Sequence, residues 1–470
     1  MIKLEHTLPM ALMIAGIGVV APIGAEDLAA IYTLAEQQDP QFQQVEASRR
    51  AILAAKPQAR AQLMLPSVTI SANVARNFQD ISIGGGPQVS DIPIRDIQGN
   101  VIGVIPATAL PGFGGSEFTE FTSGDYTLSI TQPVYHHDRT LQYRQADTRI
   151  QQANAELGAA RQDLIIRVAE RYFDVLAAMD NLEFAGAQKQ ALFQQLDQAK
   201  QRFEVGLVAI TDVQEAQAGY DRAVADLIQA ENLLENAREA LRELTNQYHQ
   251  TLLKLAEEIP LIAPAPPDID RWIAKSLEQN LRLAAAFQAT KVARQEIARQ
   301  SAGHRPTLDL IASHGFSTTG GRFGQADIDS SAVGLQFNLP IYQGGQVNSR
   351  TREAQHRHEE ALARLEQERR AAHRQAHDAY LGVITGISRV KALRQAVISN
   401  QISSEATQAG FEVGTRTGVD VVNAQGRVFQ AKRDYAQSRY NYILDTLRLK
   451  RAAGMLTPTD LTQINTWLSR

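Results

Sequence analysis

Two histidines four residues apart on a helix can hold a zinc ion, so His373 and His377 come first among residues able to do chemistry. A zinc hydrolase of that pattern also needs a general-base glutamate between them, and Arg374, Gln375 and Ala376 stand there instead. The pair reads as a solvated helix face, and His136-His137 and His356/His358 are equally bland. Gly84-Gly85-Gly86-Pro87 has the composition of a phosphate cradle, but no helix follows to present its N-terminal N–H groups. Cysteine is absent, which excludes disulfides, thiolate metal sites, cysteine nucleophiles and a lipid-anchored N-terminal cysteine. With 47 basic and 51 acidic residues the net charge is −4, so no strongly basic surface is present for nucleic acid. The residues present no catalytic constellation, no metal site and no cofactor site, and the chain does not read as an enzyme.

The informative residues are two turns. Phe203-Glu204-Val205-Gly206 precedes Leu207-Val208-Ala209-Ile210-Thr211-Asp212, and Phe411-Glu412-Val413-Gly414 precedes Thr415-Arg416-Thr417-Gly418-Val419-Asp420. In each, glycine can take the left-handed conformation that closes one helix, and a hydroxyl or carboxylate such as Thr211 or Asp212 can cap the next. By themselves these charges are solvated helix ends.

The elements that must position those turns are long helices. All 17 prolines avoid Val134 to Ile259 and Ile341 to Thr457, and proline inside a helix costs ~3 kcal/mol. Ala223, Leu227, Ala230, Leu234, Ala237, Leu241 and Leu244 alternate steps of four and three, the rhythm of a coiled-coil seam. Ala424, Val428, Ala431, Tyr435, Ser438 and Tyr442 repeat it with smaller residues. A helix from His137 to Val205 would run roughly 100 Å, a rod or the wall of a tube. The turns near 206–211 and 414–418 fold each window into an antiparallel hairpin. At an offset of 208, Phe203, Glu204, Val205, Gly206, Asp212 and Val213 recur as Phe411, Glu412, Val413, Gly414, Asp420 and Val421, so the chain is a tandem duplication. Residues 26–258 form the first repeat and 271–456 the second. A Pro-rich linker, 259–270, joins them, and 457–470 follow.

Residues 1–25 begin with Lys3, continue apolar from Leu8 to Val20 and end in Ala25, which predicts a secretory signal peptide cleaved before Glu26; an uncleaved anchor is the alternative. Four segments alternate apolar and polar residues: after Pro66, before Pro133, after Pro306 and before Pro340. Segments near ten residues with this dyad suit strands of a membrane β-barrel with a wet lumen, although a half-buried soluble sheet shares the pattern. Four strands cannot close a barrel, so in a membrane several chains must contribute. The Gly/Pro-rich stretches 79–123 and 317–330 predict loops between paired strands.

Four motifs then carry a resemblance: the run from Asn338 to Ser349 around Pro340-Ile341-Tyr342-Gln343-Gly344-Gly345, the turns 206–214 and 413–421, and Tyr440-Asn441-Tyr442-Ile443-Leu444. They resemble the TolC family of outer-membrane efflux and type I secretion channels. The resemblance implies a mixed α and β homotrimer in the outer membrane of a Gram-negative bacterium. Its 12-stranded outer-membrane β-barrel, four strands per chain, would continue as a long α-helical barrel through the periplasm. Implied partners are a periplasmic adaptor, an inner-membrane transporter of RND, ABC or MFS type, and outer-membrane lipid. The cargo would be small toxic compounds or polypeptides.

The resemblance also implies a gate at the periplasmic turns. Asp420 and Asn423 take the positions of the constricting ring, with Arg416, Phe411, Thr211 and Asp212 as linking residues. Gly206, Leu207, Gly414 and Thr415 would form the turns where adaptor tips dock. Two residues depart from the family pattern: Phe411 replaces a tyrosine whose hydroxyl would reach the Asp212 position, and Asn423 replaces a second aspartate. A passive porin and a poreless periplasmic coiled-coil scaffold are the competing readings. Long helices have no purpose in the first, and dyad strands have none in the second.

Overall fold

The computed structural model describes residues 26–81, 91–105, 117–320 and 324–469; the signal-peptide reading falls on residues 1–25, outside them. The first repeat comprises α1 (Leu28–Gln38), α2 (Pro40–Met64), β1 (Ser67–Ile81), β2 (Ile92–Arg95), β3 (Val101–Ile105), β4 (Glu117–His136), α3 (His137–Glu204) and α4 (Ile210–Thr245). β5 (Lys254–Leu255) follows it, and the second comprises α5 (Ile269–Gln279), α6 (Leu281–Ser301), β6 (Thr307–Thr319), β7 (Ala326–Asn338), α7 (Gln346–Glu412) and α8 (Gly418–Ala452). α9 (Pro458–Asn465) and β8 (Leu468–Ser469) end the described chain. The duplication reappears in element lengths: α3 and α7 have 68 and 67 residues, α4 and α8 have 36 and 35.

The chain divides into two compact units, one of residues 48–154 and 285–366, the other of residues 1–47, 155–284 and 367–470. The first unit carries an antiparallel sheet in the order β1-β4-β6-β7, so the repeats meet through the β4–β6 ladder. Its four strands have 15, 20, 13 and 13 residues. A tilted strand needs ~9–11 residues to cross a bilayer. Strand pairing therefore runs beyond the alternating segments. It takes in residues 79–81, 117–123, 317–319 and 326–330, which the Gly/Pro content had assigned to loops. Pro133 does not end β4. A bulge between Pro133 and Tyr135 sets Val134 out of register, and the strand continues to His136. Below the sheet, Gln145 of α3 donates to Val292 O at 3.0 Å and Glu296 Oε2 at 3.1 Å on α6. Burial opposes ionisation of Glu296, yet bonds from Arg299, Gln300 and Gln145 hold its carboxyl down to about 2.

The other unit holds the main apolar core, which includes Leu28 and Ile31 of α1, Tyr172 and Phe173 of α3, Leu241 of α4, and Tyr440, Ile443 and Leu447 of α8. The α4 seam is buried at Ala223, Ala230, Leu234, Leu241 and Leu244, and the α8 seam at Ala424, Val428, Ala431, Ser438 and Tyr442. Complete burial of a leucine such as Leu241 contributes ~1.5–3 kcal/mol. The linker 259–270 is pinned: Tyr442 Oη accepts from Ile262 N at 2.7 Å, and Trp272 Nε1 donates to Pro266 O at 2.9 Å. Arg167 of α3 clasps the buried Asp39 carboxylate with two nitrogens, at 3.1 and 2.6 Å.

Candidate functional site

Two surfaces have functional character: the sheet faces and the hairpin turns. Antiparallel register aligns Val68 with Ile130, Ile70 with Leu128 and Ala72 with Tyr126. It then aligns Ile130 with Ala312, Ala312 with Val333, Leu310 with Leu335 and Leu308 with Phe337. Because side chains alternate along a strand, all of these lie on one face. Among the described residues nothing covers that face: Ile70 is 73 % exposed and Val333 78 %. The opposite face is polar, with Thr69 Oγ1 and Ser129 Oγ 2.6 Å apart and Asn77 Nδ2 donating to Ser123 Oγ at 2.7 Å. Arg76 and Glu120, paired at 2.5 Å, interrupt this face, and the exposed rings of Phe78 and Phe118 follow beyond them with centroids 6.3 Å apart. β1 and β7 each have one neighbour in the sheet, leaving two open backbone edges. Among the described residues no helix is long and apolar enough to cross a membrane.

At the turns, Gly206 and Gly414 have φ of +74° and +80°, the left-handed region that L side chains rarely adopt. Gly206 N donates to Phe203 O at 2.9 Å, and Leu207 N to Arg202 O at 2.8 Å. In the second turn Gly414 N donates to Phe411 O at 3.2 Å, and Thr415 N to Gly410 O at 2.8 Å. The following helices start differently. Thr417 and Asp420 form a complete capping box, with Thr417 N donating to Asp420 Oδ2 at 3.0 Å and Asp420 N to Thr417 Oγ1 at 3.3 Å. Ala209 occupies the equivalent place in the first turn, so only Ala209 N to Asp212 Oδ2 remains, at 3.2 Å. Hydrogen bonds from the Thr417 backbone and hydroxyl hold the Asp420 carboxyl below its ordinary range, with Arg416 and Arg427 adding a smaller pull.

Asp420 is half-buried and Asn423 exposed, three residues apart on α8. Thr211 is exposed and Asp212 half-buried at the start of α4, while Leu207, Gly206, Gly414 and Thr415 are exposed. Arg416 lays its stem over Gly410, where a Cβ would come 2.8 Å from its Cγ. Among the described residues Arg416 makes no side-chain hydrogen bond or ion pair, so it does not reach Thr211 or Asp212 within one chain. Phe411 is buried, and the guanidinium of Arg202 sits 4.5 Å from its ring centroid. Sequence reasoning did not single out Arg202. No local pattern could have done so, because its partner lies more than two hundred residues away. His377 Nδ1 meets only the adjacent Asp378 at 3.3 Å, and no group of metal-holding side chains occurs among the described residues.

An open-edged sheet with one apolar and one polar face, joined to long helical hairpins, defines the protomer of an outer-membrane channel. A family model described as outer membrane efflux protein matches residues 31–247 and 272–455. The outer membrane protein TolC of Vibrio cholerae is 34 % identical over 450 residues, 95 % of this chain and 94 % of the relative. That of Escherichia coli is 38 % identical over 358 residues, 73 % of this chain and 72 % of the relative. The crystal structure of the Campylobacter jejuni CmeC outer membrane channel shares the fold, with TM-score 0.73 at 16 % identity over 94 % of this chain and 90 % of that one. The chain belongs to the outer membrane efflux protein family, whose members include these TolC channels. It is a non-enzymatic channel of the Gram-negative outer membrane with a periplasmic extension.

Proposed function

We propose that three copies of this chain close a 12-stranded barrel in the outer membrane, with the apolar sheet face toward lipid and the polar face lining a wet lumen. The open edges of β1 and β7 carry this reading: the pairing they lack within one chain is satisfied when β7 of one protomer meets β1 of the next. The long helices then form the periplasmic conduit. Through it, small toxic compounds or secreted polypeptides pass from an inner-membrane transporter of RND, ABC or MFS type, coupled by a periplasmic adaptor.

The turns are the adaptor-facing end. Gly206, Leu207, Gly414 and Thr415 are the docking positions, and their exposure suits that role. Asp420 and Asn423 set the constriction, so the trimer presents three carboxylates there rather than six. Thr211, Asp212, Phe411 and Arg416 govern its closure. Among the described residues Arg416 reaches neither Thr211 nor Asp212 of its own chain and exerts only a small pull on Asp420, so its charge-assisted link to the Thr211/Asp212 turn is one made between protomers. Arg416→Ser should therefore raise single-channel conductance in planar bilayers and admit bulky antibiotics to cells. Unchanged conductance and unchanged antibiotic exclusion would refute that link.

A further inference from the structure

The two repeats treat the same aromatic residue in opposite ways. Phe203 and Phe411 are equivalent at the offset of 208, each one residue before the glutamate that ends its long helix. Phe203 is 42 % exposed, whereas Phe411 is 6 % exposed although the turn beside it is open to solvent. Two departures from the repeat produce the difference. Gly418, the first residue of α8, stands where the first repeat has Ile210, and a Cβ placed there would lie 3.9 Å from Phe411 Cε2. The ring thus lies against bare backbone at the start of α8. On its other side the Arg202 guanidinium covers it at 4.5 Å from the centroid. Arg202 belongs to the last turn of α3, where a cation also complements the helix dipole. Its repeat counterpart is Gly410, so no reciprocal pair exists and each chain holds one such contact.

The pair joins the α3/α4 hairpin to the α7/α8 hairpin at their tips. Among the described residues no side-chain hydrogen bond or ion pair joins the two turns, 203–212 and 411–420. We propose that Arg202 and Phe411 form a cation–π latch that holds the second hairpin against the first in the resting channel and breaks when the mouth widens. This rests on reading the turns as the gated end. A guanidinium over an aromatic face is attracted by the ring quadrupole. The latch therefore requires the ring, not the hydroxyl that the family pattern places at 411, and responds to salt less steeply than an exposed ion pair would.

The test is single-channel recording of the full trimer in planar bilayers for Arg202→Gln, Phe411→Leu, the double variant, Phe411→Tyr and, separately, Asp420→Ala. Trimer mass is checked for each. Arg202→Gln and Phe411→Leu should each raise open probability by at least about twofold. The double variant should add nothing beyond either single change, and Phe411→Tyr, which keeps the ring, should not raise open probability above the parent's. Unchanged gating in Arg202→Gln, or additive effects in the double variant, would overturn the latch. A selectivity change in Asp420→Ala would show that the turns are still the constriction, so that only the latch has failed. No selectivity change there would mean that the location itself is wrong.

Discussion

Tyr440 Oη donates to Asp180 Oδ2 at 2.7 Å, tying α8 to α3 within the helical core. The Tyr440 ring also stacks on Phe173, with centroids 5.5 Å apart and planes 28° from parallel. Burial pushes the Asp180 carboxyl above its usual range, and the tyrosine bond partly offsets that. Burial likewise raises the Tyr440 hydroxyl, which stays protonated and able to donate. Tyr440→Phe leaves the carboxylate without its donor and should cost about 1–3 kcal/mol. Because the folded-state pKa of Asp180 is raised, protonation favours the folded state. The loss should therefore shrink as pH falls through that pKa. The thermal midpoint of the helical signal in detergent, followed against pH, checks both statements.

The incomplete cap at Ala209 offers a gain. Ala209→Thr supplies the hydroxyl that Thr417 already provides in the second repeat, and Thr417→Ala removes it there. The first should stabilise its helix start, and the second destabilise its own, by about 1 kcal/mol each. Amide hydrogen exchange at residues 210–213 and 418–421 reads the two changes separately, slower in the first and faster in the second. Equal exchange in parent and variants would show that the caps carry no energy.

Gly206→Val and Gly414→Val force a β-branched residue into a left-handed conformation, at a cost of about 1–3 kcal/mol. A Cβ there meets nothing within 4 Å, so the penalty is confined to the turn and trimers should still assemble. Efflux or secretion should fall while membrane trimer levels hold. Normal transport by both variants would remove these turns from the docking role.

Three fixed carboxylates at a narrow mouth should favour cations. Asp420→Ala should weaken cation selectivity and block by multivalent cations, and Asn423→Asp should strengthen both. The Thr417 bonds hold the Asp420 carboxyl below its ordinary range, whereas three carboxylates brought together raise one another. Thr417→Ala should therefore make the reversal potential in a salt gradient collapse at a higher pH than in the parent, and an unchanged pH profile would point to another group.

Much of this architecture is legible in the residues. Proline-free windows and four-three seams mark α3, α4, α7 and α8, and Gly206 and Gly414 mark the turns between them. The sheet was only half legible. Alternation marks the apolar band but fades where Arg76, Asp80 and Glu120 begin, although backbone pairing continues through them. The β2–β3 hairpin sits inside what reads as loop, although Ile92-Pro93-Ile94 and Val101-Ile102-Gly103-Val104-Ile105 around Asp96 and Gly99 carried a hairpin signal. Contacts such as Arg202 with Phe411 and Arg167 with Asp39 leave no local trace, because only the folded helices bring those positions together.

Adjacent residues on β1 separate the two sheet faces. In the proposed barrel, Ile70→Arg places a charge on the lipid-facing side, which costs about 2–4 kcal/mol at mid-bilayer, whereas Ser71→Arg would point the same charge into the lumen. The first should reduce assembly in the outer membrane and the second should preserve it. Equal tolerance at both positions would mean that the apolar face does not meet lipid.

The mass of the detergent-extracted particle tests the central claim most directly. The 470 residues weigh 51.6 kDa, and cleavage before Glu26 would leave each protomer lighter than that. The open edges of β1 and β7 predict a particle of three chains that precipitates when detergent is withdrawn. A stable monomer in detergent-free buffer would contradict the account.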